Sequence, residues 1–157
     1  MADNSEIEKR VLPSGFRELL GYRTRTWRDG FGEIELVLKP SHMNRIGIVH
    51  GGVYCALLDV AMGHAAAYCA VPGHARFSVT LSLNTTFLKG ARGGVLIATG
   101  TLDGVDGRAA STTGEVRDGD GVLCATGQAT FLYAPGSERK EGVPIAQRPF
   151  KSTTGRN

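Results

Sequence analysis

The stretch NRIGIVHGGVYCALLDVAMGHAAAYCA, residues 44–70, decides the fold. A polar entry at Asn44 leads into a His-Gly-Gly turn at His50, and apolar side chains then cover most of the circumference of a predicted helix. A helix that is apolar nearly all round is either buried in a core or spans a membrane. Because Asp59, Gly63 and His64 interrupt the apolar run, the sequence favours a buried helix over a membrane span.

One carboxylate, Asp59, lies in the middle of this predicted helix. An ionised carboxylate in a buried helix is unfavourable by several kcal/mol unless something compensates for it. Asp59 could be a structural acid bonded to a hydroxyl group or an arginine, or a catalytic acid in a site. Small residues along the same helix indicate space beside it, namely Ala56, Ala61, Gly63 and Ala65.

Length, charge and cysteine usage limit the class of protein. The 157 residues suffice for one domain with a substantial core. Residues 1–133 hold 13 basic and 13 acidic side chains, whereas residues 134–157 hold five basic and two acidic ones. Since a nucleic-acid binder usually carries its excess charge on the folded body, we expect no nucleic-acid partner. Three cysteines without C-x-x-C spacing and the absence of a leader-like start predict a cytoplasmic protein with free thiols.

The rest of the chain predicts strands on both sides of the helix. A short helix begins at a Ser14 cap and ends at Gly21, and two alternating runs joined at Asp29-Gly30 predict a hairpin over residues 22–28 and 33–38. Four further alternating runs follow the helix, at residues 77–87, 95–102, 108–116 and 122–133. This order predicts an α+β fold, an antiparallel sheet wrapped around one long helix. We expect the domain to span residues 14–133, with flexible segments at 1–13 and 134–157.

Alternation also predicts which side chains share a face of each strand. One face of the first strand is expected to hold Tyr22, Thr24, Thr26 and Arg28. In the strand after the helix, the expected apolar face holds Phe77, Val79, Leu81, Leu83, Thr85 and Phe87. Its other face, Ser78, Thr80, Ser82 and Asn84, would then meet water or a ligand.

Two spaced motifs carry a resemblance to a known family. Asn44-x5-His50-Gly51-Gly52-x6-Asp59, followed by Thr80-x2-Leu83-x3-Phe87-Leu88-Lys89, resembles the hotdog-fold acyl-CoA thioesterases of the PaaI-like, phenylacetate-pathway branch. The resemblance covers residues 14–133. It implies a homodimer, often paired into a tetramer, with active sites at the subunit interface. It also implies hydrolysis of acyl-CoA without a cofactor, because CoA is part of the substrate.

The resemblance further implies roles for individual residues. Asp59 would be the catalytic carboxylate, as general base or nucleophile, and Gly51 would donate its backbone N–H to the thioester oxygen. Asn44 and His50 would polarise the carbonyl group or orient the site. Thr80 would hold the attacking water, with Ser78 and Ser82 as alternatives because the link at residues 70–76 varies in length within the family. In such dimers Asp59 and Thr80 of one subunit face His50, Gly51 and Asn44 of the other.

Each of these residues also has a structural interpretation. His50 could only brace the turn, Asn44 could be a turn residue, and Thr80 could be an ordinary strand residue. Lys89, Arg92 and Arg108 lie at predicted turns, where they could meet CoA phosphates or simply be solvated.

The chemistry of a thioester is consistent with this set of residues. A thiolate leaves readily, so hydrolysis needs no metal, only an activated water or carboxylate nucleophile and donors for the developing oxyanion. A helix N-terminus supplies such donors, and Gly51 and Gly52 lack the Cβ that would keep a substrate away. His42, His64 and His74 lack metal-site spacing, and no G-x-S-x-G motif is present.

Three functions remain open from the sequence. The first is a thioesterase acting on a medium-chain or aromatic acyl-CoA. The second is a non-catalytic hotdog module that binds acyl-CoA, which the presence of Asp59 disfavours. The third is a hotdog dehydratase or hydratase, which would need a histidine and an acid placed to move protons on Cα and Cβ.

Overall fold

Both predicted helices are present in the computed structural model, which describes Ile7 and residues 11–149. Helix α1 spans Gly15–Leu20, and helix α2 spans Gly51–Ala67. The Ser14 hydroxyl caps α1 by accepting a hydrogen bond from the backbone N–H of Arg17, and Gly21 ends it with a φ of 83°, as predicted. Within the described ranges, no helix combines the length and apolarity that crossing a bilayer requires.

The predicted α+β architecture is confirmed. The strands are β1 Arg23–Arg28, β2 Phe31–Val37, β3 His74–Ala75, β4 Ser78–Phe87, β5 Val95–Asp106, β6 Ala109–Asp118, β7 Leu123–Tyr133 and β8 Val143–Pro144. Six of them form an antiparallel sheet in the order β1-β2-β5-β6-β7-β4, and β3 pairs with β8. Strand β4 therefore lies at one edge of the sheet.

Helix α2 packs across the inner face of this sheet. Its buried side chains meet Ile34 and Leu36 of β2 and Leu96 and Ala98 of β5 in one core. The backbone of the helix comes so close to the sheet that a Cβ at Gly100 would lie 2.5 Å from the carbonyl oxygen of Ala61. Glycine in β5 therefore permits the central contact between helix and sheet.

A bulge in β1 changes the predicted face of that strand. The pairing with β2 shifts between Thr24 and Thr26, so the side chains beyond the shift change sides. Thr24 is buried as expected, but Trp27 turns inward and its Nε1 donates a 2.7 Å hydrogen bond to the backbone oxygen of His64. The prediction that Thr26 and Arg28 share the face of Thr24 is therefore wrong.

A second bulge, in β4, changes the predicted apolar face. The pairing with β7 shifts between Thr80 and Ser82. Thr80 faces α2 before the bulge, and Leu83 packs on the core after it. Val79 and Leu81 are exposed, so the prediction that they join Leu83 on a buried face is wrong.

The folded part of the chain continues beyond residue 133. In the C-terminal segment, residues 134–149, β8 pairs with β3. Buried Arg76 donates hydrogen bonds to the backbone oxygens of Ser137 at 2.9 Å and Glu138 at 3.1 Å. The predicted domain boundary at residue 133 is therefore too early, because a buried guanidinium fixes the following segment. Most of the predicted flexible segment 1–13, and residues 150–157, lie outside the described residues.

Candidate active site

Asp59 of α2 and Thr80 of β4 are hydrogen-bonded to each other. Thr80 Oγ1 donates to Asp59 Oδ1 at 2.7 Å, and the Asp59 side chain is only half-buried. No described residue donates a hydrogen bond to the other carboxylate oxygen, Oδ2. One oxygen is therefore held in place while the other is open to a ligand or a water molecule.

The bulge in β4 places Thr80, and not Ser82, beside Asp59. Ser82 lies beyond the bulge, where it lines a groove on the outer face of the sheet with Ser111 and Thr113. Ser82 is therefore separated from Asp59 by the sheet itself. Ser78 makes no described hydrogen bond to Asp59, and Thr80 does.

The N-terminus of α2 forms a second group of polar atoms. His50 caps the helix: its Nδ1 accepts a 2.9 Å hydrogen bond from the N–H of Gly52, and its backbone oxygen accepts one from Val53. The N–H of Gly51 has no acceptor among the described residues. Since Nδ1 acts as an acceptor, the proton of a neutral ring is on Nε2, which can donate to a ligand.

Asn44 closes the loop that precedes this turn. Its Oδ1 accepts hydrogen bonds from the N–H groups of Ile46 at 3.0 Å and Ile48 at 3.3 Å. This is the loop-forming role that the sequence left open for Asn44. The side chain thereby shapes the approach to His50.

One chain does not bring these two groups together. Gly51 and Asp59 are eight residues apart on the same helix, which corresponds to about 12 Å along the axis. A carbonyl group within reach of Asp59 is therefore outside hydrogen-bond distance of the Gly51 N–H of the same chain.

The three basic side chains that are candidates for binding CoA lie in two separate parts of the chain's structure. Lys89 and Arg92 belong to the loop beside the first turn of α2, where the Lys89 backbone oxygen accepts a hydrogen bond from the Tyr54 hydroxyl. Arg108 donates to the backbone oxygen of Tyr133 at 3.2 Å, at the other end of β7. The length of that strand, about 30 Å, separates Arg108 from the other two within one chain.

The remaining histidines have partners within the protein. His42 accepts a hydrogen bond from the Lys39 N–H at 3.0 Å and lies 3.0 Å from the Leu20 oxygen, to which its other ring nitrogen donates. His64 donates to the backbone oxygen of Val60 at 2.9 Å. Among the residues described, no three His, Cys, Asp or Glu side chains are placed to hold a metal ion.

A cavity of about 350 Å³ beside the second half of α2 was not predicted from the sequence. We call it the α2 cavity; its walls include Tyr22, Gly63, Ala67 and Phe77. The small residues of the helix indicated part of this space, because Gly63, one of them, borders the cavity. Ala61 and Ala65, by contrast, are fully buried.

Comparison with known proteins identifies the family. The family model of the thioesterase superfamily matches residues 46–125, half of the chain, from the loop before His50 to the beginning of β7. The chain belongs to the thioesterase superfamily. Thioester hydrolase, predicted from the two motifs, is thereby confirmed as the class of enzyme, and the predicted hotdog fold is confirmed with it.

Individual proteins are similar to this chain over most of their length. An Archaeoglobus fulgidus protein provisionally named an esterase is 26% identical over 135 residues, which cover 82% of this chain and 84% of that protein. A Ralstonia eutropha JMP134 structure, described as a phenylacetic acid degradation-related protein and provisionally a thioesterase, is 26% identical. Its TM-score is 0.68, with 82% of this chain and 98% of that chain covered.

The PaaI protein of the E. coli phenylacetic acid degradation operon has the same fold. It is 19% identical with a TM-score of 0.69, over 83% of this chain and 91% of that chain. Together with the match to the superfamily and the Ralstonia eutropha structure, this common fold confirms the resemblance to PaaI-like thioesterases.

Proposed function

We propose that this superfamily member hydrolyses a medium-chain or aromatic acyl-CoA to the free acid and CoA. The hydrogen bond from Thr80 to Asp59 is the observation that carries the proposal. It places a half-buried carboxylate on the central helix, holds one of its oxygens and leaves the other open. This is the arrangement that a general base or nucleophile requires.

Two routes begin from this carboxylate. As a general base, Asp59 would take a proton from a water molecule whose oxygen attacks the thioester carbon. As a nucleophile, Oδ2 would attack that carbon, and water would then hydrolyse the resulting anhydride. In both routes the sulfur leaves as the thiolate of CoA. Because the Thr80 hydroxyl group donates its hydrogen bond to Asp59, its oxygen can accept one from the attacking water.

The oxyanion would be stabilised at the N-terminus of α2. The Gly51 N–H lies in the first turn, where the helix dipole favours negative charge, and the Nε2–H of His50 is a second donor. Loss of one such donor costs other enzymes about 2.7–4 kcal/mol of transition-state stabilisation. Asn44 would act through the loop whose shape it maintains.

A complete site requires two chains, because Gly51 and Asp59 of one chain are about 12 Å apart. Edge strand β4 and the residue after it expose four large apolar side chains: Val79, Leu81, Phe87 and Leu88, with 43–58% of each accessible. An exposed apolar edge strand readily pairs with a second strand. We therefore propose a homodimer whose subunits pair along β4. A tetramer made of two such dimers is proposed from the family resemblance alone.

The remaining proposals concern CoA and the compartment. Lys89 and Arg92 would meet CoA phosphates, because their loop adjoins the N-terminus of α2. The missing Cβ of Gly52 leaves room for the His50 ring, whose Nδ1 would lie 3.1 Å from it, and not for the ligand. Arg108 would do so only if the dimer brings the end of β7 near that turn. The reaction as proposed uses no cofactor. Cys55 and Cys124 take part in no disulfide, which favours a reducing compartment, the cytoplasm.

The test is thiol release from a panel of acyl-CoAs by wild type, Asp59→Asn and a matched control. Asp103 supplies the control, since it accepts a 3.0 Å hydrogen bond from Thr113 on the outer face of the sheet. Asp59→Asn keeps the shape and removes the charge, so we expect turnover to fall about a hundredfold or more. We expect Asp103→Asn to resemble wild type.

Two outcomes contradict the proposal. An active Asp59→Asn variant would make Asp59 structural. A wild type that binds acyl-CoA without releasing thiol would favour the non-catalytic binding module.

A further inference from the structure

The α2 cavity takes no part in the chemistry proposed above. Helix α2 contributes Gly63 and Ala67 to its wall, and the hairpin contributes Tyr22 and Trp27. Residues outside the six-stranded sheet complete it, among them Val11, Leu12, Val71 and Ile145. A pocket with mainly apolar walls and a few polar groups is the usual form of a small-molecule site.

The cavity adjoins Asp59 along the helix. Asp59, Gly63 and Ala67 are spaced by four residues, so they follow one another on the same side of α2. Gly63 is about 6 Å beyond Asp59 along the axis, and Ala67 about 12 Å. The chain leading into strand β4 places the cavity next to the Asp59–Thr80 pair as well. Phe77 borders the cavity and lies three residues before Thr80.

Tyr22 is a buried polar side chain in the cavity wall. No described residue forms a hydrogen bond with its hydroxyl group. Burial raises the pKa of Tyr22, the positive charge of Arg17 opposes the rise, and the negative charge of Asp59 adds to it. The cavity wall thus includes a buried phenol that stays neutral, with a hydroxyl group open to a ligand.

The C-terminal segment holds one wall in place. The N–H of Ile145 donates to the backbone oxygen of Gly73 at 3.0 Å, next to the pairing of β3 with β8. Arg76 fixes the start of the same segment through Ser137 and Glu138. Ile145 thus reaches the cavity from a part of the chain that lies outside the match to the superfamily, residues 46–125.

We propose that the α2 cavity holds the acyl group of the thioester, and that Ala67 and Ile145 limit the size of the acyl group accepted. The inference rests on the proposed function, because the thioester carbon is placed next to Asp59, at the near end of the cavity. A group that extends from Asp59 to Ala67 spans about 12 Å. This favours a medium-chain or arylacyl group.

Two substitutions that change the cavity volume in opposite directions test this proposal. Ala67→Phe fills it, so we expect the ratio of kcat/KM for octanoyl-CoA to that for butyryl-CoA to fall by about tenfold or more. Ile145→Ala enlarges it from the surface segment and should move the preference toward decanoyl-CoA. Ala70→Phe is the control, since Ala70 is exposed and outside the cavity wall, and should keep the wild-type profile.

A binding measurement separates this inference from the proposed function. Calorimetry of octanoyl-CoA against CoA gives the contribution of the acyl group in the Asp59→Asn background, where hydrolysis cannot interfere. If Ala67→Phe and Ile145→Ala leave both the chain-length profile and this contribution unchanged, the cavity is not the acyl site. If wild type releases no thiol but Ala67→Phe weakens the binding of octanoyl-CoA selectively, the cavity assignment holds and the hydrolytic function fails.

Discussion

The Thr80 hydroxyl group donates a 2.7 Å hydrogen bond to Asp59 Oδ1, which joins strand β4 to helix α2. The bulge between Thr80 and Ser82 changes which side chains of β4 face the helix. Before the bulge the helix meets a hydroxyl group, and after it the helix meets Leu83. A polar site and an apolar core contact thus share one strand and one face of the sheet.

Removing the Thr80 hydroxyl should impair turnover more than binding. A hydrogen bond to a charged group contributes about 1.5–3 kcal/mol, so we expect Thr80→Val to lower kcat by roughly ten- to a hundredfold with little change in KM. Thr80→Ser keeps a hydroxyl group at this position and should recover most of kcat. Steady-state thiol release from octanoyl-CoA measures both constants.

The control for this prediction is Thr113→Val, which removes the same kind of hydrogen bond, to Asp103, from the outer face of the sheet. We expect it to leave kcat at the wild-type value. Equal losses in Thr80→Val and Thr113→Val would mean that the effect comes from strand stability and not from the site.

The close approach of α2 to the sheet should make Gly100 intolerant of a side chain. A Cβ there would lie 2.5 Å from Ala61 O and from Met62 N, both backbone atoms of the helix that cannot move aside alone. We expect Gly100→Ala to lower the free energy of unfolding by about 1–3 kcal/mol in urea titrations. Gly104 of the same strand has nothing within 4 Å of such a Cβ. A Gly104→Ala variant as unstable as Gly100→Ala would refute this explanation.

Above about pH 10, the phenol of Tyr133 should make stability depend on pH. Its hydroxyl donates to the backbone oxygen of Ala66 at 2.6 Å. Burial raises the pKa of Tyr133, Arg76 opposes the rise, and Asp29 adds to it. Since the folded state favours the neutral phenol, this contribution is complete below the unfolded pKa and is lost as pH rises through the folded pKa.

The midpoints of urea unfolding, measured from about pH 8 to 11, test this predicted dependence of stability on pH. Near pH 8 we expect Tyr133→Phe to be less stable than wild type by about 1 kcal/mol, because one hydrogen bond is lost. Wild type should then lose stability more steeply with rising pH, so that the two curves converge. Tyr22 and Tyr54 also have raised pKa values, so the variant should retain some dependence. Parallel curves would exclude Tyr133 as a source.

Local patterns in the sequence predicted the helices and the succession of strands, since a cap, a turn or a periodic run is complete within a few residues. The faces of β1 and β4 were predicted wrongly because alternation cannot show where an extra residue enters a strand. The C-terminal segment was missed because Arg76, which fixes it, is 61 residues from Ser137. For the site, spacing gave Asp59 and the His50 turn, but only the three-dimensional structure distinguishes Thr80 from Ser82.

A mixture of two inactive variants should regain activity if the active site is shared between chains. Gly51→Pro removes the proposed oxyanion donor at the first position of α2, where proline is tolerated, and the preceding His50 has a compatible φ of −64° and ψ of 135°. We expect Gly51→Pro and Asp59→Asn each to lose about a hundredfold or more in kcat.

After the two variants are mixed and their subunits exchange at random, half of the dimers are mixed, and each mixed dimer has one site with both native halves. We therefore expect about a quarter of wild-type activity to return. Mixing Asp59→Asn with Thr80→Val, whose changes affect the same half of the site, should restore no complete site and serves as the control. No gain from the first mixture, with subunit exchange verified by mass spectrometry, would show that Gly51 and Asp59 do not act together across the dimer.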